Sequence, residues 1–215
     1  MPHAKYSHII WDWNGTLLDD AAWAIAQMNQ LLVKRNKPLL ADMAAYHRAF
    51  CFPITDYYQH VGFDFSEEPF EVLAQEFISL YHGEGSTNLK LHDHAEYVLR
   101  TIQGKQFSQS ILSASFQDNL VTQLAPYGIR QYFDEILGIA DVYGKSKVEI
   151  GLAYLERNNV QNGLLIGDTV HDFEVAQAMR IHCVLIAHGH QSKDALLSCN
   201  VPVFDHLDEV LEYLL

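Results

Sequence analysis

Near its start the chain turns abruptly from apolar to polar. Ile9, Ile10 and Trp11 form a continuous apolar run that Asn14-Gly15 halts, and a run bounded in this way reads as a buried parallel strand entering a turn. Beyond it, Ala22, Ile25, Met28, Leu32 and Val33 recur at steps of three and four, predicting a helix over 19–36 that ends at Lys34, Arg35 and Lys37 before Pro38. Shorter helical patterns follow over 41–50 and 55–60. Phe70, Leu73, Phe77 and Leu80 then share a face of a helix over 69–82. A loop over 83–88 closes this block, in which no strand is expected.

From there on the periods alternate. A helix over 93–103 precedes a strand over 107–112 that ends at Ser113, and a helix over 116–127 precedes a strand over 134–137. Ser146 is positioned to cap a helix over 146–158. The strand over 163–166 stops at Gly167-Asp168, and a helix over 171–180, strands over 183–187 and 201–204, and a helix over 207–215 complete the chain. Strands alternating with helices predict an α/β fold, a doubly wound and mostly parallel sheet with helices on both faces. The helical block is then an insertion after the first strand, able to cover the carboxyl ends of the strands.

Composition narrows the function classes. The chain has 215 residues, 49% hydrophobic and 19% charged, which suits a soluble globular protein with a sizeable core. Lys and Arg total 14 against 27 Asp and Glu, a formal charge of -13, so nucleic acid is not an expected partner, while divalent metal is compatible. Cys51, Cys183 and Cys199 are too few and scattered for a disulfide framework or a zinc cluster and fit the cytoplasm. Met1 to Ser7 lack the pattern of an export signal, and no apolar run approaches about 18 residues, so no membrane association is expected.

Polar chemistry falls at four strand ends, where open α/β sheets hold ligands. Asp12 follows the first strand, beside Gly15, which admits close backbone approach, and the Thr16 hydroxyl. Ser113 follows the second. Lys145 or Lys147 precedes a helix, and Asp168 and Asp172 stand four residues apart at a strand-to-helix junction, where carboxylate oxygens suit Mg²⁺. Each also has a plain reading: an Asx turn, a strand-end serine, a solvated lysine, a helix cap.

The ordered set Asp12-x-Asn14-Gly15-Thr16-Leu17, Ser113, Lys145 and Gly167-Asp168-x-x-x-Asp172, with helices inserted after the first motif, resembles the haloacid dehalogenase superfamily. More narrowly it is similar to the phosphoglycolate phosphatase type with a small helical C1 cap. The resemblance implies a Rossmann-like core over 1–18 and 89–215 with a cap over 19–88. It also implies a Mg²⁺-dependent phosphatase acting on a small phosphorylated metabolite. On the matching positions, Asp12 is the nucleophile that becomes an aspartyl-phosphate and also helps hold Mg²⁺. Ser113 binds the transferring group, with Gly15, Thr16 and Ala114 beside it. Lys145 steadies nucleophile and phosphate, Lys147 being a possible substitute. Asp168 and Asp172 serve the metal, the latter through water or by orienting the lysine, and the Asn14 backbone carbonyl is the remaining ligand.

One position departs from the family. Most of its phosphatases have Asp where Asn14 stands, and an amide cannot exchange a proton at neutral pH. His171, His188 and His190 are the candidate substitutes. The alternative is a weak or inactive protein that binds a phosphorylated ligand. Phosphonate-cleaving relatives use a cap lysine, for which only Lys34 and Lys37 are offered, in a run that reads as an exposed helix end. Haloacid dehalogenases need no metal, against which the Asp168 and Asp172 pair speaks. Trp23, Tyr46, Phe50, Phe52, Tyr57 and Tyr58 either line a pocket or pack the helices together.

Overall fold

The computed structural model describes residues 6–140 and 146–215. The chain runs from β1 (His8–Trp11) to a short β2 (Leu18–Asp19), through α1 (Ala21–Lys34), α2 (Met43–Ala49), α3 (Ile54–His60) and α4 (Phe70–Tyr81), and returns along β3 (Lys90–Leu91). After α5 (Ala95–Gly104) come β4 (Ser108–Phe116), α6 (Gln117–Leu124), β5 (Glu135–Ile139) and α7 (Lys147–Arg157). The remainder is β6 (Gly163–Gly167), α8 (Val170–Met179), β7 (His182–Ile186), α9 (Lys193–Leu197), β8 (Val203–Phe204) and α10 (Glu209–Leu214).

Six strands form one parallel sheet in the order β5-β4-β1-β6-β7-β8. Successive side chains of β1 point to opposite faces, and each finds its own apolar layer. Ile9 and Trp11 join Val98, Leu99, Leu120 and Val210 on one side, and Ile10 joins Tyr154, Val175 and Met179 on the other. The register sets Trp11 level with Ile111 on β4 and with Ile166 on β6. Asp12, Ser113 and Asp168 therefore emerge within a residue of one another at the carboxyl edge. Strand order reverses about β1, and such a switch point is where doubly wound sheets bind ligands.

The four helices between β2 and β3 bury a third cluster, including Met28, Leu31, Tyr57, Tyr58 and Leu73. The two connections to the sheet pair antiparallel, Leu18 with Leu91 and Asp19 with Lys90. Pairs of two residues carry no period, and this ribbon is not predicted by pattern. Nor is α9, five residues long and capped by the Ser192 hydroxyl. Strand β4 also runs on past Ser113 to Phe116, its register to β5 shifting between Leu112 and Phe116. The expected end at Ser113 is thus an irregularity within the strand. Among the described residues no helix is long and apolar enough to cross a membrane.

Candidate active site

Three carboxylates converge at the edge of the sheet. Asp12, Asp168 and Asp172 are buried, and one oxygen from each lies within 4.8 Å of the others. The Asp12 amide donates to the Ile166 carbonyl at 2.9 Å, which fixes its backbone to β6. Asp168 accepts from the Thr16 hydroxyl at 2.8 Å and from the His190 amide at 2.7 Å. Asp172 belongs to the capping box of α8: one oxygen accepts from the Thr169 hydroxyl at 2.7 Å and the Thr169 amide at 3.1 Å. Its other oxygen lies 2.6 Å from Lys147 Nζ. The same ammonium is 2.6 Å from Asp12 Oδ1, so one lysine bridges two carboxylates and the capping and site readings of Asp172 hold together.

Lys147 owes its place to a second capping box. Ser146 caps α7, accepting from the Glu149 amide, while the Glu149 carboxylate accepts from the Ser146 amide. Lys147 is therefore the first helical residue. Lys145 lies outside the described residues, and among those described Lys147 is the lysine on Asp12.

Burial governs the charges here. It pushes the Asp12 carboxyl up to about 8, against the pull of Lys147 and with Asp172 and Asp168 adding to the rise. Asp168 is likewise raised by burial, to about 6, with His190 opposing. Burial would also raise Asp172, but Lys147 outweighs it and holds that carboxyl below its usual range. Burial disfavours the Lys147 ammonium, yet Asp12 and Asp172 more than offset this and keep it charged. Three carboxylates around one ammonium leave an acidic cluster of hard oxygen donors, a donor set that fits Mg²⁺. Glycines let the chain close in: Gly15 has φ +73°, and a Cβ on it or on Gly189 would strike the Asp168 carboxylate.

The Asn14 side chain is fully engaged elsewhere. Its Nδ2 donates to Asp20 Oδ2 at 3.0 Å and to the Tyr81 hydroxyl at 2.8 Å, and its Oδ1 accepts from Ser115 Oγ at 2.8 Å. Asp20 in turn accepts from the Gly15 amide at 2.7 Å and from Tyr81, and stands 3.3 Å from His190 Nε2. Burial opposes the charged His190 ring, but Asp20, with Asp168 and Asp12, raises it to about 9. Its Nδ1 is 2.7 Å from the Tyr46 hydroxyl. One polar network thus joins the end of β1 to α2 and α4. Of the other candidate histidines, His171 stacks on Phe52 with ring centroids 4.5 Å apart. His188 stacks on His92 at 3.6 Å and bonds the Thr16 carbonyl. Sequence pattern marks neither Asp20 nor Tyr81 as a site residue, because each matters only through a fold contact.

A cavity of about 540 Å³ lies between the sheet edge and the inserted helices. Asp12, Ser113, Ala114 and Lys147 line it from below, and Tyr46, Phe50, Phe52, Tyr57 and Tyr58 from above. All of these rings but Phe52 also pack the helices together. Trp23 does not line it, and its indole donates to the Tyr81 carbonyl at 2.9 Å. Gly15 and Thr16 also stand outside the lining, serving Asp20 and Asp168 instead.

Comparison with known proteins agrees with this architecture. The family model of haloacid dehalogenase-like hydrolases matches residues 9–186, and the chain belongs to that family. Among solved structures, a "predicted phosphatase" from Clostridium acetobutylicum is 20% identical with a TM-score of 0.82, the match covering 97% of each chain. A "predicted phosphoglycolate phosphatase" from Haemophilus somnus is 16% identical with a TM-score of 0.80, covering 98% of this chain and 99% of that one. Protein Tyrosine Kinase A of Mycobacterium tuberculosis is 21% identical with a TM-score of 0.83, covering 99% of each. At such identities the likeness is one of fold. A comparison with curated protein sequences finds no match.

Proposed function

We propose that the chain is a Mg²⁺-dependent phosphatase that works through an aspartyl-phosphate on Asp12, with the helices over 19–88 acting as a cap on a core formed by 1–18 and 89–215. The observation that carries this reading is the Lys147 ammonium held between Asp12 and Asp172, with an Asp168 oxygen close by, at the base of a ligand-sized cavity. An anionic nucleophile repels an anionic substrate, and phosphoryl transfer is catalysed chiefly by offsetting that charge in a dry site. Asp12, Asp168 and the Asn14 backbone carbonyl would hold the metal, with Asp172 beside them, and Mg²⁺ there would supply charge neutralisation.

In this reading Asp12 attacks phosphorus as the ester P–O bond breaks, and the alcohol leaves after taking a proton from water. Ser113 binds the phosphoryl oxygens, and Lys147 aims Asp12 and draws it toward its ionised form against the effect of burial. Water then cleaves the acyl phosphate, giving inorganic phosphate and restoring the carboxylate. Asn14 gives this cycle no proton donor, so substrates with good leaving groups are favoured. The free thiols of Cys51, Cys183 and Cys199 suit a reducing compartment such as the cytoplasm.

The engaged Asn14 amide favours a second reading, a protein that binds a phosphorylated ligand with little turnover. Phosphate release from an aryl phosphate with Mg²⁺ separates the two. Release that depends on Asp12 and leaves a trappable phosphoryl-enzyme supports the phosphatase. Calorimetric binding of phosphate with neither signal supports the binder. An Asp12→Asn variant as active as the parent would remove the nucleophile assignment altogether.

A further inference from the structure

The upper wall of the cavity has a chemistry that the lower wall does not dictate. Met28, Tyr57, Tyr58, Phe70, Phe77 and Ile78 contribute to it, and no lysine or arginine of the inserted helices does. Those cations are accounted for elsewhere. Lys34 pairs with Glu76 at 2.5 Å, and Arg35 holds Glu68 and Glu76 at 2.6 and 2.7 Å. Lys37 lies 5.6 Å from the Phe63 ring centroid, and Arg48 is exposed. Lys147 is the only lysine or arginine lining the cavity among the described residues, and it is committed to Asp12 and Asp172. Two histidines on the lining are engaged as well, His190 with Asp20 at 3.3 Å and His171 with Glu174 at 3.5 Å, so a ligand bearing a second anion beyond its phosphate would bury that charge against aromatic carbon beside Asp20 with no uncommitted cation to meet it, which is costly.

Size points the same way. About 540 Å³ falls in the range that encloses drug-sized organic ligands, roughly 300–1,000 Å³, far more than a two-carbon acid fills. Large rings also give much contact area with little loss of side-chain freedom, which suits recognition of an apolar body.

We propose that the group esterified to the phosphate is uncharged, bulky and largely apolar, an aryl-alkyl or long-chain aliphatic alcohol. This rests on the phosphatase reading for its phosphate end, and on the wall of the cavity for the rest. Selection is then made by buried area and by exclusion of a second charge, so affinity grows with chain length until the cavity is full.

The test uses the full chain with Mg²⁺ and two sets of probes. In calorimetry with n-alkyl phosphonates from ethyl to octyl, the dissociation constant is expected to tighten by about fourfold for each added methylene before levelling. 2-Phosphoglycolate is expected to bind at least about tenfold more weakly than ethyl phosphate, in which methyl replaces its carboxylate. Ala74, which lines the upper wall, gives a control: Ala74→Trp shortens the space and moves the levelling point to a shorter chain. Affinity independent of chain length, or preference for 2-phosphoglycolate, overturns the proposal. Acetyl phosphate tests the other reading separately, because its leaving group is small and needs little protonation. Asp12-dependent hydrolysis of acetyl phosphate with a flat phosphonate series would leave the phosphatase standing and sink the apolar substrate. A rising series with no hydrolysis of any phosphate would do the reverse.

Discussion

The two walls of the cavity follow opposite rules. Below, at the sheet edge, Asp12 and Asp172 are paired with Lys147, and Asp168 is held by a hydroxyl and an amide. Above, in the inserted helices, rings pack tilted or edge-on against rings, and the lysines and arginines lie off the cavity. The lower wall is set by strand register, which allows few substitutions because most of its carboxylate oxygens already have a partner. The upper wall is set by packing volume, which many apolar sequences can satisfy. In the proposed function, reaction type resides in one layer and the choice of substrate in the other.

Removing the lysine should break the comparison most severely from below. Lys147→Met leaves Asp12 and Asp172 facing each other unpaired, and phosphate release from acetyl phosphate is expected to fall by on the order of 10³-fold. Assays of kcat with saturating Mg²⁺ would read this, and an undiminished kcat would show the ammonium to be idle. From above, Leu73 is fully buried in the helical cluster, and Leu73→Ala is expected to cost about 3 kcal/mol in urea unfolding. The same substitution at Leu39, which is 53% exposed, should cost less than about 0.5 kcal/mol. Equal losses at the two sites would mean that the inserted helices lack a core of their own.

The join between the walls gives a subtler test. Asn14→Asp would set a second carboxylate about where the amide now meets Asp20 at 3.0 Å, so alone it should not raise turnover. Paired with Asp20→Asn it restores a donor arrangement, and kcat should rise by on the order of 10²-fold over Asn14→Asp. A single variant already as fast as the double would show that Asp20 imposes nothing on position 14.

The smallest expected effect concerns pH. His92 and His188 are stacked beside the core, and burial lowers both to about 4. Asp20 and Asp93 favour the charged form of the first and His190 disfavours it; His92, and to a lesser extent His206, disfavour that of the second while Asp19 favours it, and none outweighs burial. Their folded values lie below the unfolded value of 6.5, so the unfolded chain binds more protons between the two. Stability is then complete above about pH 6.5 and is lost as pH falls toward 4, by on the order of 3 kcal/mol for each ring. Denaturant titrations from pH 7 to 4 should show a shallower decline for His92→Phe than for the parent.

Much of the lower wall is legible in the sequence because its parts are local. Ile9-Ile10-Trp11 announces a buried strand, Asp12 follows directly, and Asp168 and Asp172 are one helical turn apart. Lys145 and Lys147 are harder to separate, since both precede a helical pattern. The Ser146 and Glu149 capping box makes Lys147 the first residue of α7, and its signature is present in the chain as Ser-x-x-Glu. The Asn14, Asp20, Tyr81 and His190 network leaves no such trace, because its members stand as far as 176 positions apart and meet only once the helices dock. The aromatic residues of α2 and α3 are visible as hydrophobic, but periodicity alone does not separate a ring that packs from one that also borders a void.

Pairing Leu18 with Leu91 and Asp19 with Lys90 ties the two crossings into a single strap. Drawing the inserted helices away from the sheet would wet the rings that face the cavity, and the cost of exposing that apolar surface to water favours the arrangement in which they cover it.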